Sequence, residues 1–329
     1  MKKLLSVFLV LVFVVSALAG CADEPKDPTT VRLGGMTGPT SIGMAHLLAE
    51  NAAGKTQNKY EFTLAGTGQD IRTKLTQGEL DIAAIPANLA ATLYKATNGE
   101  IQVLAINTLG VVSLLTKGEG IKTLSDLRGK TVYAPASAKG AIPEIVFSYL
   151  LSEAGLTLGT DVQIEWLATA PGGTNPLAPK LKTGEIVLSP EPAATALLSN
   201  VEGARRAISL DEAWHALENG SEYITGVTVV RRAFAEANPD AVAKFLSEYK
   251  ASIAFANAEP VATAEKVVSF GILEQQAPLI ARAIPDCNIA FLAGEDMKSA
   301  LSTYFSLLLP IMPSAFGGTA PDDGFYYIK

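Results

Sequence analysis

KLTQGELDIAAIPANLAAT, residues 74–92, is nearly repeated at residues 180–198 as KLKTGEIVLSPEPAATALL. Aligned without a gap, the two segments agree at seven of nineteen positions: Lys74/Lys180, Leu75/Leu181, Gly78/Gly184, Glu79/Glu185, Pro86/Pro192, Ala87/Ala193 and Ala90/Ala196. In each copy a helix-like run stops at Gly-Glu, a short apolar stretch follows, and proline opens a second helical pattern. Glycine suits a helix C-cap and proline the first helical turn, where a missing N–H costs nothing. A helix, strand, proline-started helix unit occurring twice, 106 residues apart, predicts two similar α/β halves rather than a solenoid of short repeats. Two halves imply a cleft.

The 329 residues suffice for two cores, and 48% hydrophobic with 18% charged content is globular composition. Lys2 and Lys3 precede an apolar run from Leu4 to Ala19, the pattern of a secretory signal over residues 1–20. Leu18-Ala19-Gly20-Cys21 resembles a bacterial lipobox, which predicts lipidation of Cys21, with residues 21–30 a polar tether. The net charge of −7 becomes −9 without Lys2 and Lys3, and no basic stripe is present, which argues against a nucleic-acid partner. With Cys21 lipidated, Cys287 has no partner for an intrachain disulfide.

In chain order, Val31–Gly35 reads as a strand, and Thr40 or Ser41 as the cap of a helix carrying Ile42, Ala45, His46 and Ala49. Val103–Leu115, interrupted at Asn107, Thr108 and Gly110, reads as the first crossing between halves. Tyr223–Arg231, with Gly226 at its centre, reads as the return. Helices predicted over residues 238–255, 260–270 and 294–309 should pack on the first half.

Catalytic signatures are sparse. Both Gly-Lys-Thr triplets, at Gly54 and Gly129, lack the earlier glycine of a phosphate loop, and Gly66-x-Gly68 lacks the third glycine of a dinucleotide fingerprint at Ile71. His46 and His215 read as packed or rim side chains. The sequence offers instead small polar loops, each before a helix: residues 36–41, 66–69, 87–88, 137–140 and 172–175. Helix N-termini present unpaired N–H groups and partial positive charge, so such loops suit an anionic or hydrogen-bonding solute, although Gly, Ser and Thr also cap helices everywhere. Glu191 stands where Ile85 stands in the first copy; it reads equally as a ligand-pairing acid and as an acid at a helix start.

With the lipobox, the duplicated unit and the element LRGKTV at residues 127–132, the chain resembles extracytoplasmic solute-binding proteins of the nitrate/sulfonate/taurine and NMT1/THI5-like group. The resemblance implies a type II periplasmic-binding-protein fold, α/β, with two lobes and two interlobe crossovers. The lobes then comprise residues 31–109 with 226–329, and 110–225. It implies an ABC permease and its ATPase as partners, a membrane reached through the lipid anchor, a monomer outside the cytoplasm, and no metal or cofactor. Carried over by position, the ligand residues fall on Thr37, Gly38, Pro39, Thr40, Gly66, Thr67, Gly68, Ala87, Asn88, Ser137, Ala138, Lys139, Gly140, Glu191 and Thr225. Lys139 is the only cation in these loops, so the expected solute is a small organic molecule bearing a sulfonate, carboxylate or heterocycle. The alternatives are an enzyme like the pyrimidine-precursor synthases, whose cysteine cluster is missing here, and a ligand sensor for a membrane receptor.

Overall fold

The Gly-Glu punctuation of the repeat is a helix stop in both copies. Gly78 follows helix Gly68–Thr76 and Gly184 follows helix Leu177–Lys182, with φ of 72° and 89°, the left-handed conformation that a side chain disfavours. Each stop leads into a buried strand, Ile82–Pro86 or Ile186–Pro190, and then into helix Ala87–Ala96 or Ala193–Asn200. Pro86 and Pro192 stand at the N-cap rather than inside the first turn, one residue earlier than the sequence predicts.

The computed structural model describes residues 28–169 and 175–328. The signal segment, Cys21 and the loop at Gly172–Thr174 therefore lie outside the described residues. The strands are β1 Thr30–Met36, β2 Lys59–Ala65, β3 Ile82–Pro86, β4 Ile101–Thr108, β5 Val112–Lys117, β6 Thr131–Pro135, β7 Gln163–Leu167, β8 Ile186–Pro190, β9 Ala204–Ser209, β10 Gly226–Arg231 and β11 Ile289–Ala293. Thr30, assigned to the tether from sequence, is the first residue of β1.

These strands form two sheets, β2-β1-β3-β10-β4-β11 and β7-β6-β8-β5-β9. The first five positions of one match the five of the other. In each, three parallel strands are followed by an antiparallel strand contributed from across a crossover: β10 lies between β3 and β4, and β5 between β8 and β9. Leu109–Val111 is the first crossover and Tyr223–Thr225 the second. The repeat thus supplies the third parallel strand of each sheet, the one against which the exchanged strand pairs.

Lobe 1 is the half containing β1. Its outer layer is built as predicted: helices Pro239–Ala258 and Pro260–Ser269 pack on Ala45–Ala52, burying Val242, Phe245, Tyr249, Ile253 and Val267 with Leu47 and Leu48. The last helix, Gly294–Leu308, departs from the expectation. It covers β4 and β11 but also touches helix Ile142–Glu153 of lobe 2, and the Tyr304 ring lies 5.6 Å from that of Trp214. One apolar core runs behind the crossovers from lobe to lobe as a result.

A buried ion cluster fixes the far ends of β1, β3 and β10. Asp81 accepts hydrogen bonds from Arg32 (Nε 2.8 Å, Nη2 2.5 Å) and Arg231 (Nη2 2.8 Å). Burial alone would raise the Asp81 pKa, but the two guanidiniums and the Arg32 N–H hold it below the usual carboxylate range. The second copy of the repeat has Val187 at this place, so the clamp belongs to lobe 1 alone. Among the described residues, no helix is long and apolar enough to cross a membrane.

Candidate functional site

Loops that follow parallel strands leave a sheet at one edge, and every candidate loop but one follows such a strand. In lobe 1 the loops after β1, β2 and β3 carry Thr37–Thr40, Gly66–Thr67 and Ala87–Asn88, while Thr225 precedes β10. They touch. A methyl group on Gly68 would lie 3.2 Å from Leu89 Cδ2 and 3.9 Å from Met36 Cε. One on Gly226 would collide with Thr40 Cγ2 and Asn107 Oδ1, so only glycine lets the return crossover run this close to the first loop. The Ala87 N–H donates to the Thr225 carbonyl at 3.0 Å, and the Thr225 N–H to the Thr108 carbonyl at 3.0 Å.

The first loop is folded differently from its sequence reading. Pro39 starts a single turn, Pro39–Ile42, with Gly38 at its N-cap, and the helix begins anew at Ala45. Neither Thr40 nor Ser41 caps. Ser41 Oγ turns back on the strand end, accepting from Met36 N–H at 3.0 Å and donating to Met36 C=O at 2.7 Å. This ties the loop to β1 and leaves Thr37 exposed with Gly38 and Pro39 half-buried beside it.

In lobe 2, Ser137–Gly140 follows β6 and Glu191 follows β8, the strand paired beside it. Ser137, Lys139 and Gly140 are exposed, Ala138 is buried, and the Gly140 N–H donates to Glu144 Oε2 at 2.5 Å. Glu191 is buried, and both its oxygens are engaged within the lobe. Oε2 accepts from Thr195 N–H at 3.1 Å, capping helix Ala193–Asn200, and Oε1 accepts from Arg206 Nη2 at 2.8 Å. The bond from Thr195 N–H is the one expected of an acid at a helix start.

Helices that follow these parallel strands differ in how their first turns are satisfied. Thr67 Oγ1 accepts from Asp70 N–H at 3.1 Å and so caps Gly68–Thr76. Helix Ala87–Ala96 starts at Pro86 with no side-chain cap, and helix Ile142–Glu153 at Ala141 likewise. The replacement of Ile85 by Glu191 between the two repeat copies accounts for the difference between their helices. The Ala193 end has its own carboxylate, whereas the Ala87 end has no side-chain cap and its first N–H is taken by the Thr225 carbonyl.

Arg206 is a cation that sequence reasoning missed. It sits on β9, a strand not recognised in the sequence, and donates to Ser113 Oγ at 2.7 Å and Asp286 Oδ2 at 2.7 Å as well as to Glu191. The signal was the Arg205-Arg206 pair, because successive strand residues face opposite ways. Arg205 indeed turns to the other side, donating to the Gly118 and Ile121 carbonyls.

Beside the crossovers lies a second polar group. The Tyr223, Thr225 and Tyr304 hydroxyls and Asp211 Oδ1 are buried without a hydrogen-bond partner at good geometry. Burial raises the Asp211 pKa, while the His215 and Gly110 contacts oppose it. His46, read as a packed or rim residue, stacks on Phe255 with centroids 3.8 Å apart. Among the described residues, no group of three or more His, Cys, Asp and Glu side chains could hold a metal ion.

The NMT1/THI5-like family model matches residues 101–263, the group that the sequence resembles. No curated protein sequence matches the chain. Solved structures match it along most of its length. A crystal structure of an ABC transporter from Parabacteroides distasonis superposes with a TM-score of 0.74 at 22% identity, covering 92% of this chain and 99% of that one. The periplasmic aliphatic sulphonate binding protein SsuA of Escherichia coli gives 0.68 at 17%, covering 92% of each chain. A sulfonate-binding SsuA from Methylobacillus flagellatus gives 0.67 at 17%, also with 92% of each. The fold is the two-lobed type II periplasmic-binding-protein fold.

Proposed function

We propose that this protein is the extracytoplasmic solute-binding component of an ABC importer, holding a small organic solute between lobes formed by residues 31–109 with 226–329 and by 110–225. The observation that carries the reading is the pair of like-ordered sheets joined by two short crossovers, each ending its parallel strands in small polar loops. A solute that contacts the loops of both lobes stabilises their closed disposition by its differential affinity for it, with no bond made or broken.

The polar or acidic end of the solute rests at Ala87–Asn88, where the helix N-terminus has no side-chain cap, with Thr37 and Thr40 beside it. Ser137 to Gly140 close over it from lobe 2, and Lys139 supplies the one cation among the loops. Glu191 acts indirectly by holding Arg206. A carboxylate or sulfonate on an organic body fits a site with one exposed cation and one helix end without a side-chain cap better than a bare, densely charged oxyanion does.

In this reading Cys21 carries the lipid that keeps the protein, as a monomer, at the outer face of the cytoplasmic membrane beside its permease and ATPase. The test is a thermal-shift screen of sulfonates, carboxylates, nitrate and pyrimidines against the mature chain. A binder raises the melting temperature in a concentration-dependent way, by about 2.7 kcal/mol of stabilisation at a hundredfold excess over Kd. A complete absence of stabilising compounds across these classes counts against the proposal.

A further inference from the structure

We propose that Arg206 and Asp286 form a releasable latch between the lobes, and that Asn288, two residues further on, is the pivot about which it opens; the inference rests on the lobe-closure reading. The segment Asp286–Asn288 runs from the short turn Ile284–Cys287 of lobe 1 into β11 and meets the other half of the molecule twice. The two meetings differ in kind.

Asn288 is bound to the crossover itself. Its carbonyl accepts from Leu109 N–H at 3.0 Å, and its Nδ2 donates to the Gly110 carbonyl and to Asp211 Oδ2, the latter at 3.3 Å. Its backbone is left-handed, φ 43° and ψ 50°, a conformation that asparagine tolerates better than most residues. Leu109 and Gly110 belong to the first crossover, so under lobe closure contacts to them persist through a rotation.

Asp286 instead reaches into lobe 2, to a guanidinium on β9. Its side chain is 49% exposed, so water can replace the arginine when the lobes part. Arg206 tolerates the loss, because Ser113 Oγ and the wholly buried Glu191 hold it within its own lobe. A buried cation left without any partner would oppose opening strongly. A cation that keeps one carboxylate and gives up another opposes it weakly, as a reversible contact requires. Helix Ala277–Ala283 of lobe 1 packs on Ala193–Asn200 of lobe 2 at the same junction, and Cys287 is buried between the two polar contacts.

The latch biases the solute-free protein toward the lobe disposition seen here, and releasing it frees the lobes to move away from that disposition. The experiment places spin labels at exposed Glu61 on β2 and Glu165 on β7, one on each sheet, and measures their distance distribution by pulsed EPR in the solute-free mature protein. Asp286→Asn keeps the shape and removes the charge. It should increase the long-distance population about 1.4- to fivefold, the range expected of a half-exposed ion pair. Salt at about 1 M should do the same to the wild type and add little to the variant. Asn288→Ala should instead broaden the whole distribution and lower the melting temperature. Identical distributions for wild type and Asp286→Asn overturn the latch, and a simple population shift in Asn288→Ala overturns the pivot. No solute is added, so these outcomes are independent of whether the thermal-shift screen finds one.

Discussion

The N–H of Ala87 donates to the carbonyl of Thr225 at 3.0 Å, joining the uncapped helix end of lobe 1 to the strand that returns from lobe 2. A candidate loop and a crossover share one hydrogen bond, so a displacement of either is felt by the other.

Gly226→Ala tests the close approach of crossover and first loop. The added methyl must displace Thr40 and Asn107, and overpacking of this kind costs about 1–3 kcal/mol. Urea unfolding should show that loss, and any solute found should bind more weakly because Thr40 has moved. An unchanged midpoint and unchanged affinity would contradict the packing described.

Asp81→Asn removes the charge that two arginines share. Breaking a buried pair costs about 3–5 kcal/mol, and the partial exposure of Arg32 and Arg231 brings the expectation to about 2–3 kcal/mol. The Asp81 pKa lies below its unfolded value, so its stabilisation is present above about pH 4 and is lost as pH falls through the folded pKa. The variant should therefore lose less stability than the wild type on acidification below pH 4, as read by denaturant titration at several pH values.

His46 tests the packing of lobe 1 from another side. Burial lowers its pKa, with Lys266 and Lys55 adding to the effect and Glu50 opposing it. The unfolded chain therefore takes up this proton first, and stability falls as pH drops below about 6.5. His46→Phe, which keeps a ring against Phe255, should flatten that decline between pH 7 and 5. His215 has a raised pKa and contributes with the opposite sign, its stabilisation being lost as pH rises. It is present in both proteins and cancels in the comparison.

Metal content separates binding from the synthase-like alternative. The purified mature chain should contain substoichiometric iron and zinc, and a chelator should leave its melting temperature unchanged. Stoichiometric iron, or turnover of a pyrimidine precursor, would favour the enzyme.

The duplication was readable because its matches fall where the backbone has special needs: at Gly78 and Gly184 with their positive φ, and at Pro86 and Pro192 before a helix. These are local requirements, and local sequence expresses them. The exchange of β5 and β10 between sheets was visible only as apolar runs broken by Asn107, Gly110 and Gly226, since a strand's sequence does not name its partner. Arg206 was missed for the same reason: its acceptors lie 93, 15 and 80 residues away, at Ser113, Glu191 and Asp286. Glu191 was ambiguous because an acid before a helix serves a ligand and a cap equally well until its neighbours are known. Ser41 misled because a serine ahead of a helical pattern usually caps it, and here Pro39 began the turn first.

Hydrogen–deuterium exchange on the mature chain, with a solute found by thermal shift, reads out whether one solute is clasped by loops of both lobes at once. Slowed exchange is expected in residues 37–41, 66–70 and 87–90 of lobe 1 together with 137–141 of lobe 2. Protection confined to one lobe, or located away from these loops, would contradict it.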